Sequence, residues 1–432
     1  MNGKSIIYQV LPRLWGDGTF ASWNDASFDY VKSLGADCIW FTGIPRHASG
    51  KPFVKGNPGS PYAISDWYDI NPYLASDPAR RMAEFEALVE RTHASGLKCI
   101  VDFIPNHVAC DYKGALALYG WHDGDWTDTV KVDWTKPETP REMTEILRFW
   151  ASKGVDGFRC DMVELVPAEA LGQVISAVRG EYPGMLFVAE VYQKENYSRY
   201  LDVAGFDLLY DKSGSYDILR GILAGSRSSR ELTWNWQWLG GRQPRMLNFL
   251  ENHDEQRIAS PWFAGSPGKA WAAVAHSLLF NTAPYMLYAG QEVGEDASEG
   301  HEGRTSIFEW CHPAGLEAIW RYASSGRGLS REQKHVLSRY RELLSLAKRP
   351  AFANGAVWDL CYCQAAPFDP DRHFAFVRWG SGHAYAVFCN YSNSAATLRL
   401  RLPAELSSAS GINKKEATVT AAPFDYSVIQ LQ

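Results

Sequence analysis

No run of this chain stays apolar for the ~18 residues that a bilayer-crossing helix needs, so a membrane partner is not expected. Positive charge is not in excess. The 43 Lys and Arg stand against 49 Asp and Glu, for a net charge of -6, whereas phosphate binding calls for a basic footprint. A nucleic-acid partner is therefore not expected either. Internal repeats, low-complexity tracts and heptad patterns are absent, which excludes solenoids and coiled coils. No glycine-rich phosphate turn follows the first strand-like run, as a dinucleotide-binding sheet would require. Cysteine is present but not arranged for metal. Cys38, Cys99 and Cys160 lie in apolar runs, and the Cys361/Cys363 pair has no companion at zinc spacing. The thiols read as reduced. The opening Met1–Tyr8 moves straight into a strand-like run without a leader core, so a cytoplasmic location is expected.

What is present is an ordinary soluble composition, 46% apolar and 21% charged, in 432 residues, too many for one compact core. Aromatics are plentiful, with 17 Trp and 21 Tyr. Such rings suit ligands with flat apolar faces and polar edges, as sugars have, although a Trp-rich core accounts for them as well. Strand-like runs at Ile6–Leu11, Asp37–Phe41, Leu97–Phe103, Val155–Cys160, Met185–Val191, Phe206–Tyr210, Met246–Leu250 and Pro284–Tyr288 alternate with amphipathic stretches such as Asp77–Ser95, Pro140–Lys153, Pro167–Gly180 and Gly268–Asn281. That is the pattern of βαβ units, and eight strands fit a closed (β/α)₈ barrel better than an open sheet. Long irregular segments follow some strands: Thr42–Asn71, His107–Trp134 and Gln291–Ser330. Beyond Arg349-Pro350 the period changes to short alternating runs, His373–Trp379, Ala384–Asn390 and Thr397–Leu402. The expected organisation is a catalytic barrel over residues 1–350, with a short insertion after the third strand at 108–132. An antiparallel β-sandwich follows over residues 351–432.

Four of the strand-like runs end in polar residues: Val-Asp-Phe-Ile-Pro-Asn-His at His107, Gly-Phe-Arg-Cys-Asp at Asp161, Phe-Val-Ala-Glu at Glu190 and Glu-Asn-His-Asp at Asp254. Barrels build their chemistry at that end of the strands. Arg159 and Asp161 alternate onto one face, where a guanidinium favours an ionised carboxylate fit for nucleophilic work; alone, the pair reads equally well as a structural ion pair. Glu190, flanked by apolar residues, suits a general acid of raised pKa or a partnered buried glutamate. Asp254 reads alternatively as a helix N-cap and His107 as a core histidine. Trp234, Trp236 and Trp238 suit either a sugar platform or cleft packing.

Taken together these segments resemble the α-amylase family, glycoside hydrolase family 13. Asp102, Asn106 and His107 match its first segment, Gly157–Asp161 its second, Glu190 its third, and Asn252, His253 and Asp254 its fourth; Tyr62 and Gly290-Gln291-Glu292 are supporting matches. The resemblance implies a retaining hydrolase of α-glucosidic linkages in α-glucans or malto-oligosaccharides, with a carbohydrate as its partner. Asp161 would be the nucleophile, Glu190 the acid/base and Asp254 the third carboxylate gripping sugar hydroxyls. Tyr62, Asp102, His107, Arg159 and His253 would be substrate-binding, with Arg159 orienting Asp161 and Tyr62 stacking beneath the sugar. A retaining pair of carboxyls should stand about 5–5.5 Å apart. No cofactor is needed for the chemistry. The chain departs from the family where Met162 and Val163 replace the Lys-His usual after the nucleophile, and in its short insertion. Both departures weaken the case for endo-acting starch specificity. Asn106, with Asp111, Asp123, Asp125 and Asp128 nearby, has oxygens for a structural calcium ion but no recognisable loop spacing. Two other functions remain in view: a transglycosylase using the same residues, and a non-catalytic carbohydrate-binding barrel. Retention of all three carboxylates argues against the second.

Overall fold

The computed structural model describes residues 4–297 and 301–432. The first three residues and 298–300, which belong to the expected N-terminal run and the loop Gln291–Ser330, lie outside the described residues. Eight strands, β1 (Ile6–Val10), β2 (Cys38–Phe41), β3 (Lys98–Phe103), β4 (Gly157–Cys160), β5 (Leu186–Ala189), β6 (Leu208–Tyr210), β7 (Met246–Leu247) and β8 (Tyr285–Tyr288), form one sheet in the order 7-6-5-4-3-2-1-8. All their pairings are parallel. The ring closes where Asn248 bridges Tyr285 and the Met286 N–H donates to the Asn248 carbonyl at 2.8 Å. Helices cover the outside of the strands and side chains fill the inside, so strands β1, β2, β4 and β5 are buried at every position. Hence β2 and β5 read as continuous apolar runs rather than as alternation, while β1 and β4 each carry one buried polar residue, Gln9 and Arg159.

The paired strands are shorter than the apolar runs that announce them. After the bridge at Asn248 the backbone leaves the ladder, yet Phe249 and Leu250 stay buried, so hydrophobicity outlasts pairing. Local chemistry sets the helix starts. Asn24 accepts the Ser27 N–H ahead of Asp25–Ser33, and Ser330 and Gln333 form a reciprocal capping box ahead of Arg331–Ala347. The helix Glu138–Ser152 buries Met143, Ile146, Leu147 and Trp150, one stripe at helical spacing.

The C-terminal part has a four-stranded antiparallel sheet of β9 (Ala356–Asp359), β10 (His373–Gly380), β11 (His383–Asn390) and β14 (Tyr426–Gln430). The pair β12 (Ala396–Arg401) and β13 (Glu416–Ala421) lies beside it. Alternation divides β10 between two cores. Phe374 and Phe376 join the barrel cluster, whereas Ala375 and Val377 pack with Leu398, Leu400 and Val419. Arg378 fastens this sheet to the barrel. It is buried and donates to the carbonyls of Phe280 at 2.9 Å, Phe352 at 2.7 Å and Gly355 at 2.9 Å.

The insertion is not wholly irregular. His107–Ala109 pairs antiparallel with Thr129–Lys131, a two-stranded clasp standing on the end of β3. The stretch carrying Trp234, Trp236 and Trp238 is a helix, Arg230–Leu239, so the three rings do not share a face. Trp236 turns inward against Phe280 at 5.7 Å, while Trp238 lies under the cations of Lys194 and Arg242 at 5.3 and 4.9 Å. A three-ring sugar platform is therefore not formed; helical periodicity scatters residues that strand alternation would have aligned.

Candidate active site

The four polar strand ends meet. A pocket of about 290 Å³ opens at the C-terminal end of the barrel, lined by Tyr62, His107, Asp161, Met162, Glu190 and Asp254 together with Trp126, Asp128, Tyr192 and Phe308. A larger cavity, about 530 Å³, lies at the opposite end among Leu186, Asp207, Leu208 and Arg245. Its only carboxylate, Asp207, is already held by Arg179 at 2.5 Å, so the chemistry belongs to the first pocket.

Arg159 organises that pocket. It is 1% exposed on β4, and its Nη1 donates to Asp161 Oδ1 at 2.5 Å. Its Nε donates to the Tyr210 hydroxyl at 3.2 Å. Nη2 stands 2.9 Å from Glu190 Oε1, an ion pair without the alignment of a hydrogen bond. Asp254 Oδ2 lies 3.9 Å from the same nitrogen. Aromatic faces of Trp40, Tyr62 and Tyr210, each within 5.5 Å, hold the guanidinium flat. β4 can sit this close to β5 because Gly157 has no side chain; a Cβ there would meet the Leu186 carbonyl oxygen at 2.9 Å.

One guanidinium thus faces three carboxylates. Asp161 takes the hydrogen bond on Oδ1, and its Oδ2 accepts none from the described residues. Glu190 is 4% exposed; burial first, and the Asp161 charge next to it, push its carboxyl above the ordinary range. Opposing that shift are Arg159, the Met162 N–H donating to Oε2 at 2.9 Å and the Tyr192 hydroxyl donating to Oε1 at 2.8 Å. Asp254 is pushed well upward by desolvation and by Glu190. Its side chain keeps 36% exposure, but into the confined pocket, where the like charge remains close. Asp254 caps no helix. Asn252 Oδ1 accepts the N–H groups of Asp254 and Glu255 at 2.9 and 2.8 Å and so fixes the turn that presents Asp254.

Tyr62, His253 and Asp102 form a relay beneath the pocket. The Tyr62 hydroxyl is 2.6 Å from His253 Nε2 and donates to Asp102 Oδ1 at 3.2 Å, and its ring stacks on His253 at 5.1 Å. Gln9 Nε2 donates to His253 Nδ1 at 2.8 Å. Burial lowers the His253 pKa, so the ring is neutral with its proton on Nε2. Asp102 also accepts the Gly43 N–H at 3.0 Å, and burial pushes it up to about 7. Of the residues expected to bind substrate, Tyr62 and His107 line the pocket. Asp102, Arg159 and His253 stand behind its wall, where they hold the lining residues in place.

Sequence reasoning missed Gln9, Met162, Tyr192, Tyr210, Trp126 and the pocket position of Asp128. For Tyr192 a signal existed, two residues from Glu190 on one strand continuation. Met162 gave none: its left-handed backbone, φ 45° and ψ 40°, aims its N–H at Glu190.

The Asn106 region does not fit a calcium ion. Asn106 turns its Nδ2 to Asp123 Oδ2 at 2.8 Å, and the Lys131 ammonium takes both Asp123 oxygens at 3.0 and 2.9 Å. The carboxylate that a cation would use is already neutralised. Asn106 Oδ1, Asp111 Oδ1 and Asp128 Oδ2 keep no partner, but among the described residues no three His, Cys, Asp or Glu side chains gather as a metal site.

The family model described as the catalytic domain of alpha amylase matches residues 16–115 and 121–203, the barrel through Asp161 and Glu190. Over that stretch the chain is similar to the α-amylase family of glycoside hydrolases. Alpha-amylase 3 of Dictyoglomus thermophilum is 24% identical over 82% of this chain and 79% of its own length. Oligo-1,6-glucosidase of Parageobacillus thermoglucosidasius is 23% identical over 67% of this chain and 65% of its own. An alpha-amylase structure from Lactobacillus plantarum superposes with a TM-score of 0.74 at 22% identity, covering 99% of this chain and 98% of the other. This chain thus shares its fold, barrel and C-terminal sheet together, with that structure. Among the described residues no helix is long and apolar enough to cross a membrane.

Proposed function

We propose that this chain is a retaining glycoside hydrolase that cleaves α-glucosidic linkages in α-glucans or malto-oligosaccharides through a covalent glycosyl-enzyme intermediate. The observation that carries the reading is the single buried guanidinium spanning Asp161 and Glu190 across the pocket. Two carboxyls on prongs of one fork are held near one another, in keeping with the close pair that a retaining site uses. Asp161 Oδ2, free of hydrogen bonds, attacks the anomeric carbon while the bond to the leaving oxygen breaks. Glu190, whose pKa burial and the Asp161 charge raise, gives that oxygen its proton. Water then attacks the same carbon, Glu190 takes its proton, and Asp161 is released. Asp254 accepts sugar hydroxyls, and Tyr62 and His107 supply the wall against which the ring rests.

No divalent ion is needed, since Lys131 already occupies the acid next to Asn106. A cytoplasmic location is in keeping with eight cysteines that form no disulfide. The test is time-resolved product analysis on maltotetraose, native chain against Asp161→Asn. Short products of retained α-configuration, lost by at least the ~10²–10⁴-fold of one catalytic group, support the reading. Undiminished activity in the variant sinks the assignment of Asp161, and products longer than the substrate move the chain to the transglycosylases.

A further inference from the structure

One carboxylate in the pocket is unused by this mechanism. Asp128 is 4% exposed and lines the pocket beside Trp126, Thr129 and His107. Its Oδ2 is sealed from solvent without a hydrogen-bond partner, and no ion pair reaches the side chain from the described residues. The other insertion acid close to the pocket behaves differently, for Asp123 is satisfied by Lys131 and Asn106. No cation forms an ion pair with Asp128 among the described residues, although its charge acts on His107. The Lys55 ammonium lies over the Phe308 ring at 4.9 Å, and burial holds His107 down to about 4, so its ring is neutral. The backbone that carries Asp128 is held in place. The Cys110 N–H donates to the Asp128 carbonyl at 3.1 Å, and the Thr129 N–H and hydroxyl both close on the Trp126 carbonyl, at 3.0 and 2.8 Å.

A buried carboxylate without a donor costs stability, and a rigid turn that keeps it there is explained by a donor arriving from outside. Resting on the glycosidase reading above, we propose that Asp128 is a specificity-determining residue which accepts hydroxyl groups of the bound sugar while the Trp126 ring packs against that sugar's apolar face. A carboxylate accepts from two hydroxyls, so the pair selects sugars whose neighbouring hydroxyls point to the insertion. The same sugar lacking them leaves the carboxylate unpaired.

The experiment compares the native chain with Asp128→Asn on maltotetraose, reading kcat, KM and the melting temperature without sugar. Maltotetraose binding is measured by calorimetry to Asp161→Asn and to the Asp161→Asn/Asp128→Asn double variant. The expected result is a ten- to hundredfold fall in kcat/KM carried mainly by KM, a matching loss of binding, and a melting temperature equal to or above the native one. Values of kcat/KM and binding within twofold of native overturn the proposal. So does a fall in melting temperature that accounts for the lost activity, since Asp128 would then be structural. Calcium that raises the melting temperature of the native chain but not of Asp128→Asn also overturns it, because the carboxylate would serve an ion. If the native chain cleaves no maltotetraose while binding still depends on Asp128, the glycosidase reading fails and the sugar contact stands. If maltotetraose is not bound at all, both fail.

Discussion

Replacing Arg159 by lysine keeps the charge of the pocket and removes its fork. The guanidinium reaches Asp161 from Nη1 at 2.5 Å, Tyr210 from Nε at 3.2 Å and Glu190 from Nη2 at 2.9 Å. A lysine ammonium is a single point and cannot hold both carboxylates in their present positions. At least one charge-assisted contact is given up, about 1.5–3 kcal/mol each. At 1.36 kcal/mol per decade, that is a loss of roughly ten- to 150-fold in kcat/KM. Arg159→Met goes further, losing both contacts and leaving three carboxylates without a cation in a pocket where Arg159 is 1% exposed. Breaking such a buried pair costs about 3–5 kcal/mol, so this variant should melt well below the native chain. The Arg159 charge opposes the upward shift of Glu190. Without it the acid keeps its proton to higher pH, and the alkaline limb of the residual kcat/KM profile moves up. The assays are kcat/KM on maltotetraose across pH and a thermal melt. A lysine variant within threefold of native, or a methionine variant whose alkaline limb stays in place, would refute the claim that this guanidinium sets the geometry and charge of both carboxyls.

Removing the Tyr192 hydroxyl in Tyr192→Phe deletes a donor that favours ionised Glu190, so the alkaline limb should shift upward with KM little changed; an unmoved limb counts against the contact at 2.8 Å. Stability in acid depends on His276, stacked on Phe280 at 4.8 Å with burial lowering it to about 3. Its folded pKa lies below the unfolded value near 6.5, so its contribution is present above pH ~6.5 and is lost progressively as pH falls towards 3. His276→Phe should therefore flatten the unfolding free energy against pH in that window by about one proton, measured by denaturant titration, and an unchanged slope would refute it. For the insertion, Lys131→Met should lower the melting temperature by unpairing Asp123, while a chelator leaves the native melt unchanged; chelator-induced melting would show that a bound ion, not Lys131, does the holding.

The strands were legible because a parallel barrel buries both faces of each, and short apolar runs such as Cys38–Phe41 and Leu186–Ala189 read as buried strands. The four motif residues could be found for a related reason: each ends such a run, so its place in sequence is also its place in space. The Trp234–Trp238 stretch shows the limit. The same letters serve a strand or a helix, and the packing of Trp236 on Phe280 chose the helix.

By itself, then, the sequence determined the barrel, the sheet that follows it and the polar groups that reach the pocket, because these depend on periodicity and on neighbours along the chain. Tertiary structure alone decided what surrounds them. Gln9 touches His253 across 244 positions, Tyr210 meets Arg159 across 51, and the unpartnered Asp128 comes to the pocket only because the insertion folds back onto the end of β3. Burial, charge balance and the orientation of a ring or a carboxylate arise from such distant contacts, and no local pattern encodes them.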